Sequence, residues 1–205
     1  MIIIHTTRCV NYAYEDLRDE LYDALPQHGD MILDDNGHPI LDENKQPQYE
    51  PHQTFFHAYG RGVDYHNPEY AYHQMMKVKE YFDIPDDPKI LKLIKYKIQF
   101  SNQYNKETVI QICDQLCEYI EHKHNFQCVC GLFIVPQPDN VPSYEAQLVI
   151  NPVNFKNGTV IRHYRFAKYY VDIVDRLRFY SNDNIIIGYV EDPNKRPWIL
   201  RPFPQ

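Results

Sequence analysis

Apolar residues recur along the chain at two periods, and the switches between those periods lay out the secondary structure. Residues 2–4 form a short apolar run that predicts a strand. Tyr14, Leu17, Leu21 and Leu25 then fall at helical spacing and predict a helix over about 13–25, stopped by Pro26. A second strand is predicted over 54–59. Asn67-Pro68 supplies a helix cap with proline at the first helical position, and Ala71, Met75, Val78 and Phe82 give the following helix one apolar face. From Lys95 the pattern sharpens: Tyr96, Ile98 and Phe100 alternate with Lys95, Lys97 and Gln99, as a half-buried strand requires. Asn105 caps a helix whose Val109, Ile112, Cys113, Leu116 and Ile120 form a wide stripe. The nearly unbroken apolar run 126–135 predicts a central strand, and 146–151 a shorter one. A last helix over about 166–180 turns Phe166, Tyr170, Ile173, Val174 and Leu177 inward, and 185–190 closes as a strand.

From Lys95 the order is therefore β-α-β-β-α-β. That order predicts an α+β fold of the ferredoxin-like kind, an antiparallel sheet with helices packed on one face. What precedes it reads as an N-terminal β/α extension carrying an arm. The arm holds a short repeat, ILDDNGHP over 32–39 followed directly by ILDENKQP over 40–47, and Asn36-Gly37 is a tight-turn signal. The expectation is one domain over 1–205 with 27–53 inserted as an acidic, polar hairpin. The Asp-rich loop lacks the residue order of an EF-hand, which favours a surface hairpin over a calcium loop.

Composition places these elements in an ordinary globular protein. The chain has 205 residues, 43% hydrophobic and 24% charged, a size at which roughly 70% of the unfolded surface can be buried. No stretch approaches the length of a membrane span, and five cysteines do not form a disulfide framework, so the expected location is the cytoplasm with no membrane partner. The net charge of −7 argues against strong non-specific binding to nucleic acid, yet charge is segregated: residues 11–50 carry eleven Asp/Glu against Arg18 and Lys45, whereas 151–205 carry nine Lys/Arg against five Asp/Glu. Basic residues alternate with aromatics in Arg162-His163-Tyr164-Arg165 and Lys168-Tyr169-Tyr170, a composition that suits single-stranded nucleic acid or a protein partner alike. Cys113, Cys117, His122, His124, Cys128 and Cys130 are six soft ligands close in sequence, but their spacing is not that of known zinc sites. Buried thiols with a solvated His-Lys-His helix end are the stronger reading and metal binding the weaker alternative, with Cys113, Cys117, Cys128 and Cys130 its ligands.

Four stretches carry a more specific signal: NPEYAYHQMMKVKEYF over 67–82, KYKIQFS over 95–101, the helix with QICDQLCEYI, and LVINPVNFKNGTV over 148–160. In order and spacing, over about 67–180, they resemble the relaxase or mobilization-nuclease family of plasmids and conjugative elements. The motif residues are Asn151, Asn154 and Gly158. The resemblance implies an HUH-type fold, itself a ferredoxin-like sheet, and a tyrosine that nicks one DNA strand with a divalent metal held by three histidines. Imidazoles at alternate strand positions share a face and can hold a cation against a scissile phosphate. Here the matching positions are Phe133, Glu145 and Gln147, so the triad is absent. Tyr12 and Tyr14 are the weak candidates for the nucleophile.

These residues lead to one expectation and two alternatives. The first is a relaxase-like protein of a mobile element, catalytically degenerate and needing no cofactor, that binds single-stranded DNA weakly through Lys156, Arg162, Arg165 and Lys168 or acts among other mobilization proteins. The second is a protein-interaction module on the same fold. The third is a divergent nickase dependent on magnesium or manganese, using Glu145 and Asn151.

Overall fold

A computed structural model of the chain describes residues 1–9, 14–25, 32–34, 37–41, 45, 48, 54–87, 89–137, 141–162 and 165–191; the side chains of 6–9, 14–16 and 187–191 are outside the description. The elements are β1 (Ile2–Cys9), α1 (Tyr14–Ala24), β2 (Phe55–Arg61), α2 (Pro68–Tyr81), β3 (Leu93–Phe100), α3 (Lys106–Tyr119), β4 (Phe126–Val135), β5 (Ser143–Asn154), α4 (Phe166–Ser181) and β6 (Ile185–Glu191). A π-helical turn, Ile120–His124, extends α3 and ends at Asn125, whose φ of 53° is left-handed.

The helix starts follow the local chemistry. The Asn67 side chain accepts hydrogen bonds from the backbone N–H groups of Glu69 and Tyr70, and that of Asn105 accepts one from Thr108. Each satisfies donors that a helix start otherwise leaves unpaired.

The fold is mixed α+β: one open sheet in the order β2-β4-β5-β3-β1-β6, antiparallel except where β1 and β6 run parallel, with four helices. The order β-α-β-β-α-β runs from β3 to β6 as the periodicity predicts. Two expectations need correction. β1 is not part of an extension but an interior strand, lying between β3 and β6 with Ile2 opposite Phe100 and Ile185. Helices also cover both faces. The larger core packs α3 and α4 against Ile94, Tyr96, Ile98 and Phe100 of β3, with Cys128, Cys130 and Leu132 of β4 and Ala146, Leu148 and Ile150 of β5. The alternate residues Leu93, Val129 and Val149 pack instead under α1 and α2, with Leu17, Leu21, Leu25, Ala71 and Met75. The reason is in β4, which is buried along its first eight residues. A strand apolar at consecutive positions must be covered on both sides.

In the arm, Leu33 bridges Pro39 in antiparallel fashion and Gly37 takes a φ of 80°, as a tight hairpin turn requires. The repeat is also visible in the backbone bonding. Ile40 N–H donates to the Ile32 carbonyl, Gln48 N–H to that of Ile40, and Ile32 N–H to that of Gln48, which closes a ring through positions eight residues apart. Among the described residues, no helix is long and apolar enough to cross a membrane.

Candidate functional site

β5 runs down the middle of the sheet, and its side chains alternate between the two faces. Glu145 and Gln147 share the α1/α2 face with Val149. Their register partners extend two polar rows across neighbouring strands. One row runs His5, Lys97, Gln147, Gly131; the other runs Ile3, Gln99, Glu145, Phe133. The structure thus brings together all three positions at which the resemblance expects histidines.

The charges in this patch are already matched. Lys97 Nζ lies 2.8 Å from a Glu145 oxygen, and Gln147 Nε2 donates to the other at 3.2 Å. Glu145 is 7% exposed. The Phe133 ring packs against that of Phe55, centroids 5.6 Å apart. Gly131 sets the edge of the patch: a Cβ there would lie 1.7 Å from the Ala24 carbonyl oxygen, so only glycine lets the end of α1 approach the sheet this closely.

The donor set does not fit the divalent cation of the resemblance. Phenylalanine offers no lone pair, the single carboxylate is held by an ammonium and an amide, and one amide oxygen remains, the buried Gln147 Oε1, which has no hydrogen-bond partner. A hard cation takes six or more oxygens, or several waters held by carboxylates. Among the described residues, no group of three or more His, Cys, Asp or Glu side chains could hold a metal ion. Of the tyrosine candidates, Tyr12 lies outside the described residues, and Tyr14 opens α1 with its side chain outside the description.

The three motif residues do structural work. Asn151 is fully buried, and its Nδ2 donates to the Met75 carbonyl of α2 and to Gln127 Oε1. Asn154 Oδ1 accepts the backbone N–H groups of Lys156 and Asn157, while its Nδ2 donates to the His124 carbonyl. Gly158 has a φ of 70°, and a Cβ on it would meet the Phe82 ring at 2.6 Å. Together they fasten the end of β5 to α2, to the π-helical turn and to the turn after α2.

Lys156, Arg162, Arg165 and Lys168 are all exposed: Lys156 follows β5, Arg162 bridges to Ile90, Arg165 caps α4 and Lys168 lies in its first turn. Lys156, Arg162 and Lys168 have no carboxylate within 4 Å among the described residues, in contrast to Arg18, Arg61, Lys92, Lys95 and Lys97. Because α4 packs on the opposite face from Glu145, Arg165 and Lys168 are set apart from the patch. The four cysteines are free thiols buried between α3 and β4, and Cys128 Sγ donates to the Cys117 carbonyl at 3.8 Å. Hydrogen bonding to Cys117, with burial, pushes the Cys128 thiol well up, and the same bond pulls Cys117 down. The two shifts oppose each other, so burial and the spacing, not acidity, are what favour core thiols over a metal site.

Two clusters are not legible in the sequence, and the first corrects the expectation that His124 belongs to a solvated helix end, since its side chain is 13% exposed. His124 Nε2 lies 2.7 Å from Asp172 of α4, and Tyr119 donates to both oxygens of the same carboxylate at 2.9 Å. This clasps the π-helical turn to α4; burial moves the imidazole below its ordinary range despite the carboxylate. Nothing in local spacing pairs residues 124 and 172. The second is Lys79 on the inward face of α2, 3% exposed, whose Nζ donates to the Lys92 carbonyl. Burial, then the charge of Lys92, pushes its amine down to about 7.

No protein-family model matches the chain, and no curated protein does. A search of solved structures finds similarity to one described as "Molecular Basis of Vancomycin Resistance Transfer in Staphylococcus aureus", with a TM-score of 0.48 and 9% identity, covering 92% of this chain and 96% of that chain.

Proposed function

We propose that the chain is a relaxase-like protein of a mobile element that has lost metal-dependent nicking and binds single-stranded DNA weakly. One observation carries the reading. At the positions where the resemblance expects a metal triad, Glu145 is neutralised by Lys97 and hydrogen-bonded by Gln147, and Phe133 stands opposite it. The positive charge that a nickase takes from a metal is here a lysine side chain spent on its own carboxylate. Neither Phe133 nor the paired Glu145 and Gln147 offers a free cation to polarise a phosphodiester. DNA contact falls instead to Lys156, Arg162, Arg165 and Lys168, each exposed. On a single strand each neutralised phosphate contributes about 0.7 to the slope of log affinity against log salt, so four contacts give a slope near roughly −3.

Filter binding of a single-stranded oligonucleotide at about 50 and about 200 mM salt, run beside a nicking assay with magnesium or manganese, tests both halves. The expected result is salt-sensitive binding and an intact strand. No affinity even at low salt removes the DNA half and leaves the protein-interaction module. Metal-dependent cleavage that Glu145→Ala abolishes establishes the divergent nickase in its place.

A further inference from the structure

The π-helical turn Ile120–His124 is tied to three neighbouring elements at the end of the sheet where β5 runs out. The Asn154 amide of β5 donates to the His124 carbonyl, and Phe155 N–H, one residue on, donates to the carbonyl of Asn125. From α4, Asp172 holds the His124 ring and Tyr169 stands edge-on to it, centroids 5.3 Å apart. Phe126 of β4 stacks on the same ring at 5.6 Å. Single π-helical turns of this kind gather at functional sites.

Those contacts carry three exposed lysines to the turn: Lys123 on the turn itself, Lys156 directly after Phe155, and Lys168 directly before Tyr169. None has a carboxylate within 4 Å among the described residues, and both acids of α4 are held elsewhere, Asp172 by His124 and Tyr119 and Asp175 by Arg178. Separate cations beside aromatic rings are what a single strand needs, since it offers a phosphate at each nucleotide. The groups facing the His124 ring are Tyr119 of α3, Lys123 of the turn, and Asp172, Lys168 and Tyr169 of α4; β4 and β5 contribute Phe126 and the Asn154 amide. Burial first, and the charges of Lys123 and Lys168 after it, hold the ring below its ordinary range against the pull of Asp172. A phosphate beside those lysines offsets their charge and favours the imidazolium.

We propose that a single strand lies across the π-helical turn with its phosphates on Lys123, Lys156 and Lys168, and that docking places a proton on His124. The inference rests on the single-stranded DNA binding proposed above, to which it adds the place of the strand, a contact at Lys123 and a dependence on pH. Strand and proton are reciprocal ligands, each raising the affinity for the other, so binding tightens as pH falls.

The test is fluorescence anisotropy of a single-stranded oligonucleotide with the full chain and its Lys123→Ala, Lys77→Ala and His124→Gln variants, at two salt concentrations and from about pH 7.5 to about pH 5.5. Lys123→Ala should bind about five- to tenfold more weakly at about 50 mM salt, with a salt slope shallower by about 0.7, the value of one phosphate contact. Lys77, exposed on α2 across the sheet, is the matched loss of charge, and its variant should stay within about twofold of the parent. Over the pH range the parent should gain at least about threefold more affinity than His124→Gln, whose amide still donates to Asp172 but does not titrate. Lys123 is exposed, so its variant reports on binding whatever His124→Gln does to the fold. Equal binding by Lys123→Ala and the parent, or parallel pH profiles for the parent and a folded His124→Gln, overturns the turn as the docking place and leaves DNA binding intact. Failure of the parent to bind at low salt overturns the DNA reading and this inference with it.

Discussion

The two faces of one sheet differ in kind. Under α3 and α4 the buried side chains are apolar or thiol, including Tyr96, Ile98, Phe100, Leu132 and Leu148. Under α1 and α2 lie all four buried polar or charged residues of the described chain: Lys79 on α2, with Gln127, Glu145 and Asn151 at positions that alternate away from the larger core. The same strands supply both faces, so strand propensity does not explain the difference. One face carries the stability of the fold. The other holds polar groups that cost stability and are kept only where their partners are in place.

Adjacent residues of β3 make the sharpest test of that division. Ile98 points into the larger core at 0% exposure, whereas Lys97 points to the polar face with a side chain 44% exposed. Ile98→Ala is expected to cost about 2–5 kcal/mol through lost burial and a cavity. Lys97→Ala should cost no more than about 1–2 kcal/mol, because the pair it breaks is open to solvent on one side. Urea unfolding of both variants measures the ratio. Equal losses would show that the polar face carries as much stability as the dry one.

Next in size is Lys79. Its buried amine has lost proton affinity, down to about 7, through desolvation first and the Lys92 charge second. Unfolding therefore takes up a proton between about pH 7 and the ordinary lysine value of about 10.4. Stability should rise with pH across that window by up to about 1.4 kcal/mol per unit, and the penalty is complete below pH 7. Lys79→Met should be more stable than the parent at pH 7, and that rise should be absent from its profile. A Lys79→Met profile parallel to that of the parent would mean the amine is solvated.

A smaller loss is expected from Asn151→Leu, about 1–3 kcal/mol, because the Met75 carbonyl and Gln127 amide oxygen lose their shared donor. Asn151 Oδ1 is itself buried without a partner, which limits the loss. A stability within about 0.5 kcal/mol of the parent would show that this motif asparagine is not a fastener.

The helices on both faces were legible in the sequence, and the polar contacts under α1 and α2 were not. Helix starts at Asn67 and Asn105 depend on a few neighbouring residues, and the stripes of α3 and α4 on a single period, so pattern alone located them. The unbroken apolar run of β4 already implied cover on both sides, although the order from Lys95 pointed to helices on one face only. The place of β1 could not be read, since Ile2 pairs with Phe100 across the sequence and nothing local chooses that partner. Asn151, Asn154 and Gly158 were legible as a motif; only their contacts with Met75, His124 and Phe82 show that in this chain the motif fastens β5 in place. Lys79 was hidden because a lysine at an inward helical position reads as polar surface.

The smallest expected effect bears most directly on what the polar face is for. In a double-mutant cycle on Lys97 and Glu145, with Lys97→Met and Glu145→Gln, each single change leaves one charge without its partner, while the double variant leaves none. Glu145 is nearly buried and Lys97 half exposed. The coupling should therefore fall at about 1 kcal/mol, between exposed and buried pairs. Coupling of that size means the carboxylate is committed to lysine, as a site without a metal requires. A coupling near zero, with manganese raising the melting temperature of Lys97→Met but not of the Lys97→Met/Glu145→Gln double variant, would instead mean that the lysine only occupies a cation site that remains usable.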